Sequence, residues 1–143
     1  MKAVIQSAAK VGSRVRVGNH DLIFDQPSVV AGGEDRGPSP LDVLVLSVGA
    51  CAHYFATVYL HARGISAADL TVEVESEKEH APAPRIGRIA LKVRVPPGLT
   101  AQQIVGIERA IWRCPAYGTL VHPPSVEIAV EVGPVSGEHR RSA

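Results

Sequence analysis

Two thiols, Cys51 and Cys114, are the side chains of this 143-residue chain whose type and setting could do chemistry. They stand 63 positions apart and match neither a CxxC redox motif nor a zinc-ligand spacing. Each belongs to an apolar helical stretch. Cys51 lies in SPLDVLVLSVGACAHYF, 39–55, and Cys114 closes the series Ile104, Ile107, Ile111, Cys114. Steps of three, four and three keep that series on one helix face, and two helices laid on one sheet face can bring their apolar sides together. A disulfide needs Cα atoms within about 7 Å. If the thiols meet, peroxide reduction is chemically open. One thiolate attacks a peroxide oxygen, expels the alcohol and becomes a sulfenic acid. The other thiol condenses with it to a disulfide, releasing water, and an external dithiol resets the pair. The alternative is inert packing, since cysteine is among the most buried residue types.

A working thiol needs activation, because a free thiol with a pKa of about 8.5 is only a few per cent ionised at neutral pH. Cys51 lies twelve residues past Ser39, beyond the reach of its own helix dipole, which fades within about a turn. His53 is two positions away, about 200° around the helix. The charge must come from elsewhere. Arg14 and Arg16, on one face of an N-terminal strand, are the first candidates, and Arg36, in the loop before Ser39, is the third. An arginine within about 4 to 6 Å lowers a thiol pKa by roughly 1 to 3 units. The competing expectation is that all three are solvated surface charges.

Other chemistries lack their residues. The six histidines show no HExxH or Cys/His pattern, so no metal is expected, and without GxSxG there is no serine-hydrolase elbow. No GxGxxG or GxxxxGK[ST] follows a strand. A net charge of +1 without long Lys/Arg runs argues against nucleic acid. The apolar run 43–52 is short for a membrane span, and residues 1–10 lack the apolar core of a secretion signal, so a cytoplasmic chain with no membrane partner is expected.

The elements that must position the thiols follow from patterning. Alternation predicts strands near 2–8, 13–17 and 21–26, with Gly18-Asn19 turning the second into the third. Segment 30–39, rich in Gly, Pro and charge, is a loop. Ser39, Pro40 and Asp42 start the first helix as cap, first-turn proline and capping-box acid, and Gly64 ends it. Its apolar residues run all round between Leu41 and Ala52, which predicts a buried helix, with Leu44, Val48, Cys51, Phe55 and Val58 as a continuous face. Strands follow at 70–77 and 89–95, with acidic residues on the first able to pair with basic ones on the second across a mobile loop at 79–84. Thr100 to Gln103 is a capping box for a second helix that carries Cys114 in its last turn, and 125–132 alternates as a final strand. The order βββ-α-ββ-α-β predicts an α+β fold with both helices on one face of an antiparallel sheet. It forms one domain over 1–133 with a flexible tail at 134–143. One sheet cannot cover a helix that is apolar on all sides, so a second copy of the chain is expected to do so.

The segment GGEDRGPSPLDVLVLSVGAC followed by RCPAYGTL closely resembles the OsmC/Ohr family of osmotically inducible and organic-hydroperoxide-resistance proteins, in its OsmC-like branch, over about 20–128. The resemblance implies an intertwined α+β homodimer with two sites at the interface, Cys51 as peroxidatic and Cys114 as resolving cysteine. It also implies an organic hydroperoxide as substrate, an external dithiol such as a lipoyl group as reductant, and no bound cofactor. Family hydroperoxidases add an arginine from the N-terminal strand region and a glutamate ten residues before the first cysteine. That position is Leu41 here, with the acid one step later at Asp42. Ala116 and Tyr117 replace the Val and His of the branch's Cys-Pro-Val-His-x-Thr-Leu, while Thr119 and Leu120 are retained. These departures define the second expectation, a non-enzymatic OsmC-like dimeric binding or stress protein whose thiols are structural.

Overall fold

The computed structural model describes residues 2–132. Its elements run β1 (Val4–Ser7), β2 (Ser13–Val17), β3 (His20–Phe24), α1 (Pro40–His61), β4 (Thr71–Glu79), β5 (Arg85–Arg94), α2 (Ala101–Trp112) and α3 (Pro115–Val121). This is the expected α+β class with antiparallel pairing. The strands, however, form two sheets, β1-β2-β3 and β4-β5, where one had been expected. The three-stranded sheet makes no more than isolated contacts with the helices, whereas α1 packs on β4, α2 and α3.

The N-terminal sheet keeps the register that alternation demands, with Val15 opposite Ile5 and Leu22, and Gly18 at φ +56° in the tight turn. Loop 25–39 is tied to the buried carboxylate of Asp25, which accepts the backbone N–H groups of Gln26, Glu34 and Arg36. Burial opposes ionisation of that carboxyl. The backbone donors and the nearby Arg36 charge outweigh it and hold the pKa below the usual carboxylate range. The loop thus delivers the chain to α1 at a fixed place. There the Ser39 hydroxyl accepts from Asp42 N–H at 3.2 Å and donates to the Asp42 carboxylate at 2.6 Å. The expected cap is formed.

The face that α1 buries is not the expected one. Val45, Val48, Gly49, Ala52, Ala56 and Leu60 are buried, while Leu44 and Val58 stay about half exposed. An all-apolar helix carries no phase information, and side-chain size sets its rotation here. A Cβ at Gly49 would fall 2.3 Å from a methyl of Val74 on β4, so only glycine permits this approach. Ala56 and Leu60 then form the core with Leu70 and Ile107, flanked by Tyr59, Ile65, Val93, Val95 and Ile111. By length and hydropathy α1 passes as a membrane-crossing helix, which the 43–52 run alone did not indicate. Its packing on β4 and α2 is that of a core helix.

Strands β4 and β5 extend further than expected, to the pair Glu79↔Arg85, which shortens the loop to 80–84. The charge pairing across their exposed face is present: Glu77 meets Arg88 at 2.7 Å, and Glu73 engages Lys92 and Arg94. The expected strand at 125–132 is absent. Those residues pair with no strand, and Val126, Ile128, Val130 and Val132 are 80–98% exposed. Alternation specifies two faces but not a neighbour, and a strand needs both. The tail at 134–143 and the domain end at 133 lie outside the described residues.

Replacing Gly49 with alanine should destabilise the protein by about 1 to 2 kcal/mol, because the steric conflict with Val74 exceeds the helix propensity gained. Urea unfolding measures the difference, and an unchanged or raised midpoint would show that β4 yields freely.

Candidate functional site

Cys51 lies on the flank of the buried face of α1, half-buried, two positions beyond Gly49. Cys114 reaches it by a route the sequence reading missed. Helix α2 stops at Trp112, and Cys114 is the N-cap of a third helix, with Pro115 at its first position. The expected position in the last turn of α2 is therefore corrected. Pro115 disfavours helical geometry at residue 114 and suits the start of a new helix, so one proline ends α2 and opens α3. The signal was present in Cys-Pro but had been read only as a stop.

In the capping position the Cys114 sulfur accepts the Tyr117 backbone N–H at 3.3 Å. Trp112 and Tyr117, edge to face with centroids 4.7 Å apart, brace the turn. Tyr117 is thus a positioning residue in a place where the resemblance offers histidine. Only 2% of Cys114 is exposed, and α3 packs on α1 so that the Cys51 thiol is near enough to act on its ionisation. Both are free. Burial, first, and the neighbouring Cys51 push the Cys114 pKa above that of an ordinary thiol, against the opposing effect of the Tyr117 and Ala116 N–H groups. The pair is therefore unequal: Cys51 is a half-buried residue, and Cys114 is a buried one whose pKa is pushed up.

Two of the three expected activating arginines are engaged with carboxylates elsewhere in the single chain. Arg16 is bidentate to Asp21 on the exposed sheet face, with contacts of 3.2 and 3.0 Å, and Arg14 shares that face. Arg36 lies 3.6 Å from Glu34, which also binds Lys10 at 2.9 Å. None of the three forms an ion pair at the thiols. Asp42 is occupied by the Ser39 cap, and Leu41 is partly exposed. His53 and His61 are exposed, and among the described residues no His/Cys/Asp/Glu group is arranged to hold a metal. An apolar cavity of ≈ 460 Å³ lies between β5 and α2, closed by Trp112 and Tyr117, but neither cysteine lines it.

The family model of the OsmC-like proteins matches residues 32–129. No curated protein matches the chain. Among solved structures, an OsmC-like protein from Mycoplasma pneumoniae is similar at 19% identity and a TM-score of 0.72, covering 85% of this chain and 87% of its own. A Psychrobacter arcticus protein assigned to osmotic stress and detoxification response is similar at 18% identity and 0.75, covering 83% and 87%. An organic hydroperoxide resistance protein OsmC from Legionella pneumophila, at 18% and 0.63, covers the same shares. At these identities the likeness is one of fold.

A thiol pKa raised by folding adds stability that is complete below the unfolded value, about 8.5, and is lost as pH rises through the folded value. Under reducing conditions the parent should therefore lose stability as pH rises above about 8.5 more steeply than Cys114→Ala. Urea midpoints across that range decide, and parallel curves would show that Cys114 ionises as it does in the unfolded chain.

Proposed function

Since the chain belongs to the OsmC-like protein family, we propose that it is a two-cysteine thiol peroxidase acting on organic hydroperoxides, in the cytoplasm and in defence against oxidative or osmotic stress. The observation that carries this reading is the meeting of Cys51 and Cys114 as an unequal pair, one half-exposed and one buried. The Cys51 thiolate attacks the distal peroxide oxygen, the O–O bond breaks, and the alkoxide leaves as alcohol after taking a proton. Cys51 is then a sulfenic acid beside Cys114, whose sulfur attacks it. An S–S bond forms, and the displaced hydroxyl leaves as water. An external dithiol, such as a lipoyl group, reduces that disulfide through a mixed disulfide and leaves as its own disulfide. Burial suits Cys114 to this order, since a solvent-borne peroxide meets Cys51 first. Leu44 and Phe55, along the Cys51 side of α1, favour an alkyl substrate.

The proposal places two sites in an intertwined homodimer. Its support is the apolar surface that one chain leaves open. Leu44, Leu46, Tyr54 and Val58 on α1 are 47–61% exposed, and the alternating segment 125–132 lies unpaired. In that dimer the cation favouring the Cys51 thiolate comes from Arg14 or Arg16 on the N-terminal sheet, or from Arg36 in the loop that follows it. The competing reading, a non-enzymatic dimeric binding or stress protein, is favoured by one observation: Asp42 is consumed by the Ser39 cap and leaves no acid to orient an arginine at the site.

Purified protein with dihydrolipoamide should consume an alkyl hydroperoxide. Cys51→Ser should lower the rate by at least about a hundredfold, and Cys114→Ser should abolish sustained turnover while allowing oxidation of Cys51. If both variants match the parent, the chemistry is not at these thiols. Sedimentation at micromolar concentration should give a dimer, and a well-folded monomer would remove the interface from the proposal.

A further inference from the structure

On the side of α2 away from the apolar cavity, a groove of ≈ 760 Å³ runs between the C-terminal end of α1 and the outer face of α2, and three arginines line it: Arg63, Arg109 and Arg113. We propose that this groove is a binding site for a small polyphosphate-bearing anion. The first reason is charge. Among the described residues most arginines are ion-paired, with Arg16, Arg36, Arg85, Arg88 and Arg94 each bridged to a carboxylate. Of those with no such partner, Arg63, Arg109 and Arg113 converge on this one groove, and no acidic side chain lines it. Glu108, the nearest acid in sequence on α2, lines the opposite cavity.

A solvated helix end explains part of this. Basic residues in the last turn of a helix complement its dipole, and Arg109 and Arg113 satisfy that rule. Yet they stand four apart, where like charges repel, and the rule does not account for Arg63 arriving from another helix. Arg63 is also fixed. Its guanidinium stacks on the Tyr59 ring at 3.6 Å from the centroid and donates to the Tyr59 carbonyl at 3.1 Å.

Tyr59 is held in turn by a glycine. A Cβ at position 106 would fall 2.0 Å from the Tyr59 hydroxyl oxygen, so any larger residue would push the ring and the arginine on it out of place. Glycine in the sixth position of a twelve-residue helix costs helix stability; here it maintains the wall of the groove. A guanidinium fork matches phosphate oxygens in pairs of hydrogen bonds. Three forks in one concave site suit a ligand with several phosphate charges better than a single carboxylate, and the Gln102 amide adds one further polar group at the rim.

The test titrates the full-length protein with sodium tripolyphosphate and, separately, with magnesium-free ATP, by calorimetry and by amide chemical-shift mapping. Saturable binding is expected below about 1 mM at low salt and weaker at 0.3 M salt, with shifts concentrated at 59–63 and 101–113. Arg63→Gln should weaken it by about tenfold, and the Arg109→Gln/Arg113→Gln pair by more. Equal affinity for the two probes would assign recognition to the phosphate chain. An affinity for ATP at least about tenfold tighter would add the nucleoside to a site still built on the arginines. The proposal fails if neither probe saturates, if shifts fall elsewhere, or if the folded glutamine variants bind as the parent does. Gly106→Ala, with all three charges kept, should also weaken binding; unchanged affinity would refute the positioning of Arg63 through Tyr59.

Discussion

The close approach of α1 to β4 is the constraint on which the rest of the structure depends. It is possible only because residue 49 has no Cβ, and Ala52 and Ala56 keep the same side of the helix shallow. Once the helix rests on Val72 and Val74, its rotation is fixed. Leu60 enters the core with Leu70 and Ile107, and Cys51 is turned to the flank. A bulkier contact stripe would move the helix relative to the strand, and Cys51 with it, while Cys114 is held separately through the Tyr117 N–H. Helix rotation and cap geometry together set the chemistry of the pair.

Local signals were legible in the sequence, and signals that need a third dimension were not. Ser39 and Thr100 announced their caps: Thr100 and Gln103 close a full capping box, whereas at Ser39 the hydroxyl accepts the Asp42 N–H and the Asp42 carboxylate takes that hydroxyl in place of the cap backbone N–H. Strands β2, β4 and β5 showed themselves by alternation, and the opposed charges of β4 and β5 marked their pairing. The rotation of α1 could not be read, since apolar residues all round leave the choice of face to packing volume; Gly49, Ala52 and Ala56 were the available clue. Helix α3 was hidden by treating Pro115 only as a terminator. The segment 125–132 has the pattern of a strand without a neighbour, and periodicity cannot name the neighbour.

The two sulfurs are visible in the sequence, but the inequality of their surroundings comes from the fold. Cys114 was expected on a helix face, where its neighbours would have been side chains. As a cap it is surrounded by backbone N–H groups and by Cys51. Those donors oppose the rise in pKa that burial imposes, and burial prevails. The expected arginines illustrate the reverse error. Their types suit the task, yet Arg16 is bound to Asp21 and Arg36 stands beside Glu34. A charge acts through its distance and its competing partners, and neither is written in a strand pattern.

The three-stranded sheet stands largely apart from the helices. It is correctly formed and turned, and it is anchored through the Asp25 loop, yet it rests on none of its own chain's helices beyond isolated contacts. Val4, Ile5 and Leu22 remain 42–67% exposed on it, as do Leu44, Leu46 and Tyr54 at 47–61% on α1. An apolar sheet face and an apolar helix face left open in one chain are surfaces whose burial the hydrophobic effect favours. Burial of the side that carries Ile5, Val15 and Leu22 leaves Arg14 and Arg16 on the opposite side of the sheet, with Val4 and Asp21. The open apolar surface and the distribution of charge on this sheet are therefore separate consequences of one alternating pattern.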